Sequence, residues 1–123
     1  MIRPAERQEI DKYLSARNAG SMEVECDCYI VILEDCSMLF TVKKVSDSCC
    51  EMHICCPKSC VRMSRVMTEE AIRFSGELGY KSVLTAVNNN NYRAAHNMAE
   101  KLGFRVYDIT TEYTIYERSV KWQ

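Results

Sequence analysis

Glu51 and His53 are the two side chains of this sequence best placed to move a proton. They alternate along the apolar stretch Cys49 to Cys56, so as a strand they share one face, where a carboxylate or an imidazole can act as a general base. Cys55 falls on the same face, two residues beyond His53. That spacing suits a Cys–His nucleophile, but no third group is evident to orient the ring, and any strand with His-x-Cys would match. Just downstream, Lys58, Arg62 and Arg65 gather at the start of a helical stretch. Cations at that end oppose the helix dipole, which favours an anionic partner such as a phosphate. Eight cysteines all lie between Cys26 and Cys60. A zinc set would have to use Cys26, Cys28, a later cysteine and His53, yet no Cys-x2-Cys pair recurs, so no metal is expected. The start MIRPAERQEIDKY is too charged for a secretory leader, so the thiols read as reduced, small hydrophobes in strands.

Periodicity and punctuation give the elements that must position these residues. Pro4 to Arg17 reads as a helix, with Pro4 in its first turn and Gly20 past its end. Glu25 to Glu34 and Met38 to Val45 read as a hairpin about Asp35-Cys36-Ser37, followed by the strand Cys49 to Cys56, which Pro57 ends. From Arg62 to Leu78 the residues Met63, Val66, Met67, Ala71, Phe74 and Leu78 recur at helical spacing, and Gly79 closes that helix. The strand Ser82 to Val87 then runs into four asparagines, Asn88 to Asn91, a turn that ends in an N-cap. In the helix that follows, Ala94, Ala95, Met98 and Leu102 share a face and Gly103 takes the C′ position. Phe104 to Ile109 and Tyr113 to Val120 are the last strands. His96 lies off the apolar stripe and is expected at the surface; Tyr92 and Tyr107 are expected to pack. The order predicts one α+β domain, residues 1–123, a mixed α/β sandwich built on one sheet.

Strand, Asn turn, Ala-rich helix and the ending AAxxxxEKLGF resemble the C-terminal part of a GNAT-type acyl-CoA N-acyltransferase. The resemblance extends upstream, with Glu51 to Pro57 as the central strand and Arg62 to Gly79 as the long helix, and covers roughly residues 25 to 118. It implies a mostly antiparallel sheet with helices on both faces, and acetyl-CoA lying where two strands part. It implies Glu51, then His53, as the base, and cofactor contacts at Cys55, Cys56, Lys58, Ser59, Arg62, Ser64, Arg65 and Asn91. The sequence also departs from the family. The pyrophosphate loop, Q/R-x-x-G-x-G/A, falls on Ser59-x-x-Arg62-x-Ser64, and the chain has no glycine between residues 21 and 75. A side chain at Arg62 crowds the place where backbone should meet phosphate. Ala99 stands where the family commonly has a tyrosine acid, and the usual first strand is missing or hidden near residues 1–3.

A chain of 123 residues, 47% hydrophobic, 27% charged and with net charge −1, has no broad electrostatic draw toward nucleic acid or membrane. No apolar run approaches the about 20 residues of a membrane span. A cytoplasmic setting is expected. Over its whole length the sequence also resembles the small head-assembly proteins of short-tailed bacteriophages, which carry an acetyltransferase-like domain. That resemblance implies virion or portal proteins as partners, in the infected bacterial cytoplasm. Two functions follow: a weakly catalytic or non-catalytic assembly protein with a degraded acetyl-CoA loop, or an acetyl-CoA-dependent N-acetyltransferase whose phosphate site is made of side chains. The assembly function needs an exposed edge, for which Thr111 to Trp122 is the candidate. The enzyme needs an open cleft between Cys49–Cys56 and Ser82–Val87.

Overall fold

The computed structural model of the protein describes residues 1–16, 26–90 and 93–121. Its described elements run β1 (Ile2–Pro4), α1 (Arg7–Ala16), β2 (Asp27–Leu33), β3 (Cys36–Lys44), β4 (Cys49–Cys55), a 3-10 helix η1 (Lys58–Met63), α2 (Ser64–Glu77), β5 (Ser82–Asn88), α3 (Arg93–Lys101), β6 (Arg105–Ile109) and β7 (Tyr113–Ser119). One sheet holds all seven strands in the order β1-β2-β3-β4-β5-β7-β6. Every neighbouring pair is antiparallel except β4 and β5.

The first strand is present. Ile2–Pro4 pairs with Tyr29–Val31, so Pro4 belongs to an edge strand, where a missing N–H costs no ladder bond, and not to the helix. The helix starts three residues later. Glu9 reaches back to the Glu6 amide (3.1 Å) and takes a two-pronged bond from Arg3 at 2.7 and 2.6 Å. The β2–β3 hairpin turns at Glu34-Asp35, with Glu34 at φ 58°, and Cys36 and Ser37 already belong to β3, two residues earlier than the polar residues suggest. The expected end at Gly20 lies outside the described residues.

Alternation along the strands separates two faces. Tyr29, Val31, Met38, Phe40, Val42, Cys50, Met52 and Val83 meet Met67, Ala71 and Ile72 of α2 in the main core. Phe74 sets its ring edge against Tyr29 and Phe40, at centroid distances of 4.8 and 6.0 Å. On the other face Tyr13 of α1 bonds Ser37, and the Cys55 thiol donates to the Tyr13 carbonyl (3.3 Å). Helices therefore cover both faces. Arg118 of β7 is buried on the α2 side and bonds Glu69 at 2.8 Å, tying the C-terminal hairpin to α2. Gly79 and Gly103 both have positive φ, as their places after α2 and α3 require.

Four of the eight cysteines are buried, Cys36, Cys50, Cys56 and Cys60, and all eight are thiols. Burial pushes the Cys50 thiol up to about 11. Among the described residues no group of three His, Cys, Asp or Glu side chains is placed to hold a metal ion, and no helix is long and apolar enough to cross a membrane.

Candidate functional site

β4 and β5 pair only at Cys49–Glu51 with Ser82–Leu84, after which they part. Each keeps its outer neighbour: β4 stays paired with β3 to Cys55, and β5 with β7 to Asn88. Met52–Ile54 and Thr85–Val87 therefore face each other across a gap, with backbone groups that a bound chain could pair. The gap is filled from below by α3. Ala95, Met98, Ala99 and Leu102 follow the i, i+3, i+4, i+7 pattern, and with Phe104 they floor a cleft of about 200 Å³. Thr68 of α2 closes one side. Ala94, expected on this face, points to solvent instead, and Ala99 takes its place. A narrow apolar slot between two strand edges is a place for a thin, amide-bearing chain such as a pantetheine arm.

His53 lines the rim of this cleft, and Glu51 lies on the same face of β4. The structure brings the two together: His53 Nε2 donates to Glu51 Oε1 at 2.6 Å. Both are partly exposed, at 54% and 37% of their side chains, so water and an acceptor reach them. Cys55 shares that face, and its thiol donates to the Tyr13 carbonyl of α1.

The segment after β4 differs from a phosphate-binding loop. Residues 58–63 coil into η1, which runs straight into α2. In such a helix the backbone N–H groups bond carbonyls three residues back, as the Cys60 N–H does with Pro57 (2.9 Å) and the Ser64 N–H with Val61. The Ser64 hydroxyl also turns to the Val61 carbonyl (2.8 Å). Of the three candidate cations, Arg62 donates to Asp35 (3.4 Å) and Arg65 to the Lys101 carbonyl (3.3 Å), while Lys58 is exposed. Ser59 is exposed with its hydroxyl 3.8 Å from the Cys60 sulfur, and Cys56 is buried with its thiol toward the Pro57 carbonyl. Asn91 lies outside the described residues. The expected acetyl-CoA contacts therefore divide. The apolar cleft suits a pantetheine arm, whereas η1 offers a diphosphate no glycine cradle.

Two residues near the cleft escaped sequence reasoning. His96 is not a free surface histidine. Its Nε2 faces the Asn88 carbonyl (3.3 Å), which can only accept, so in the neutral ring Nδ1 accepts from the Tyr116 hydroxyl (2.8 Å). Tyr116 is buried opposite Thr85, and that burial raises its phenol. The alternation of β7 placed Tyr116 on one face, but only the contact with α3 picks out its partner. Tyr107, expected to pack, is 62% exposed, and Tyr92 lies outside the described residues. The asparagine turn is also a tie: Asn89 donates to the Thr110 carbonyl (2.9 Å) and accepts from the Thr114 hydroxyl (2.6 Å). The expected open edge at Thr111–Trp122 is not one. β7 lies between β5 and β6, so the edge is β6, and Trp122 lies outside the described residues.

No protein-family model matches the sequence, and no curated protein matches it. Solved structures do. The Campylobacter jejuni N-acetyltransferase PseH, in complex with acetyl coenzyme A, superposes with TM-score 0.76 at 13% identity, over 97% of this chain and 99% of that one. The ribosomal-protein-S18-alanine N-acetyltransferase of Escherichia coli gives 0.73 at 15% identity, over 100% and 95%. The IAA acetyltransferase of Bacillus cereus gives 0.76 at 11% identity, over 97% and 98%. With its parted β4 and β5, this chain has the fold of the GNAT N-acetyltransferases.

Proposed function

We propose that this is a GNAT-fold protein that keeps the cleft of the fold but not its diphosphate site, and that it serves as a weakly catalytic or non-catalytic accessory in virion head assembly. The observation that carries the reading is η1. The glycine loop that would offer bare amides to a diphosphate is replaced by a 3-10 helix in which the Cys60 and Ser64 amides bond carbonyls three residues back, and Arg62 and Arg65 donate to Asp35 and to the Lys101 carbonyl. The resemblance of the whole chain to head-assembly proteins of short-tailed phages supplies the setting: a host cytoplasm, with virion or portal proteins as partners. The edge strand β6 supports a protein-binding role, because Val106, Tyr107 and Ile109 are 54%, 62% and 66% exposed.

A second reading, an acetyl-CoA-dependent N-acetyltransferase, is favoured by the open cleft and by Glu51 with His53 at its rim. There Glu51 would take the proton from an acceptor amine, and His53 would share it. Calorimetric titration of the reduced protein with acetyl-CoA, with CoA and ATP as controls, separates the two. The first reading expects no heat and no thermal stabilisation at millimolar acetyl-CoA. Micromolar binding in preference to ATP overturns it and directs the search to an amine acceptor. Sedimentation with purified portal rings of a short-tailed phage tests the assembly role, which expects the chain to co-sediment; a chain left in the supernatant counts against it.

A further inference from the structure

The sheet ends in two different edges, β1 and β6. β1 is three residues long and closes on Pro4, a short, proline-bearing edge that resists further pairing. β6 is longer, has no proline, and exposes all of its residues, Arg105 to Ile109. Val106 lies opposite the buried Tyr116 and Ile109 opposite the buried Thr114, so the two share the inner face of the sheet, yet both stay exposed. Arg105 and Asp108 are three residues apart, and in a regular strand they would point to opposite faces. The irregularity between Val106 and Asp108 adds a residue, so Arg105 stands opposite Glu117 and Asp108 opposite Ile115, which are two apart on β7. The bulge therefore puts a cation and an anion on one face of the open edge. Among the described residues neither has an ion-pair partner, and Asp108 accepts the Ile109 amide at 2.9 Å.

We propose that β6 is the docking strand for a second copy of this chain, the two β6 strands pairing antiparallel about a twofold axis that passes between Val106 and Tyr107, normal to the sheet. The occupant follows from charge, because the strand is complementary to itself. In this register Arg105 of each copy lies opposite Asp108 of the other, and the pair occurs twice. A twofold axis normal to the sheet keeps each face continuous across the pair, and the bulge is what gives Arg105 and Asp108 the same face. On the inner face Phe104 of each copy comes opposite Ile109 of the other, and Val106 meets Tyr107 at the axis. Moving the axis onto Tyr107 would set Arg105 against Ile109 and Val106 against Asp108, joining residues of opposite faces and pairing no charges. The paired strands give the β6 backbone the ladder partner that it lacks at a sheet edge, and cover Val106, Tyr107 and Ile109. This docking rests on no part of the assembly role and needs no virion component.

The test is sedimentation velocity on the reduced, full-length chain over a concentration series. The expected mass is twice that of one chain at the top of the series, falling to one chain on dilution, and a monomer throughout overturns the proposal. Arg105→Asp and Asp108→Arg then test the register. Each alone sets like charges opposite each other and is expected to weaken self-association at least about tenfold. Mixed in equal amounts, the two variants place opposite charges together again, and the mixture is expected to regain the parent's association. Dimers that survive both single changes, or a mixture no better than either variant alone, overturn it. Amide hydrogen exchange on the parent needs no variant: protection of residues 105–109 is expected to rise several-fold with concentration, and protection that does not change between monomer and dimer places the contact elsewhere and overturns it too.

Discussion

The cleft and η1 adjoin in sequence, since β4 leads directly from one to the other, yet they have opposite characters. The cleft walls are strands whose outer edges are fixed by β3 and β7, and its floor is the apolar face of α3. Opening is built into that arrangement, because the neighbours that hold β4 and β5 also hold them apart. η1 is built differently: Cys60 is buried in the main core while Lys58, Ser59 and Val61 are exposed, and without glycine the Cys60 amide bonds the Pro57 carbonyl three residues back.

Three variants test that contrast, and a fourth, at Glu9, lies outside it. The largest effect is expected at the cleft floor. Leu102→Ala removes a 2%-exposed side chain and should cost about 2–5 kcal/mol in urea unfolding. Val61→Ala in η1, where the side chain is 55% exposed, should change stability by no more than about 0.5 kcal/mol. Equal costs would mean that η1 is as integral to the core as the cleft. Next, restoring glycines with Arg62→Gly and Ser64→Gly should tighten acetyl-CoA at least about tenfold, or about 1.4 kcal/mol, if helix closure is what blocks the diphosphate. An unchanged titration from a folded variant would place the block elsewhere. The smallest effect is at Glu9 of α1. Hydrogen bonds from Arg3 and from the Glu6 amide hold Glu9 down from 4.5 to about 2. A folded value below the unfolded one means the unfolded chain binds more protons between them, so this contribution is complete above about 4.5 and lost as pH falls toward 2. Melting curves of Glu9→Gln should therefore be flatter than the parent's across that window, and identical slopes would discount the pairing.

Much of the fold was legible because period and punctuation are local. Met67, Ala71 and Phe74 of the α2 stripe, the glycines after α2 and α3 and the alternation in β4 each speak for themselves, and Glu51 and His53 share a face as their spacing requires, whereas Val66 and Leu78 of that stripe are exposed. The misses fell where a local signal was overruled at a distance. Pro4 suited a helix start but was claimed by β2, Cys36 suited a turn but was claimed by pairing with Leu33, and Thr111–Trp122 suited an edge until β6 folded back over it. His96 sat off the apolar stripe of α3, yet Tyr116 and Asn88 were waiting there.

By itself the sequence determined the order of the helices and strands from β2 onward, the absence of glycine between residues 21 and 75 and the face that carries Glu51 and His53, since each depends on residues a few positions apart. Only the tertiary structure decided that β4 and β5 part after Glu51, that Arg62 of η1 reaches Asp35, and that Arg65 of α2 reaches the Lys101 carbonyl. Those facts join segments tens of residues apart, and what fixes them is the competition of each strand edge and polar side chain for partners that spacing along the chain does not reveal.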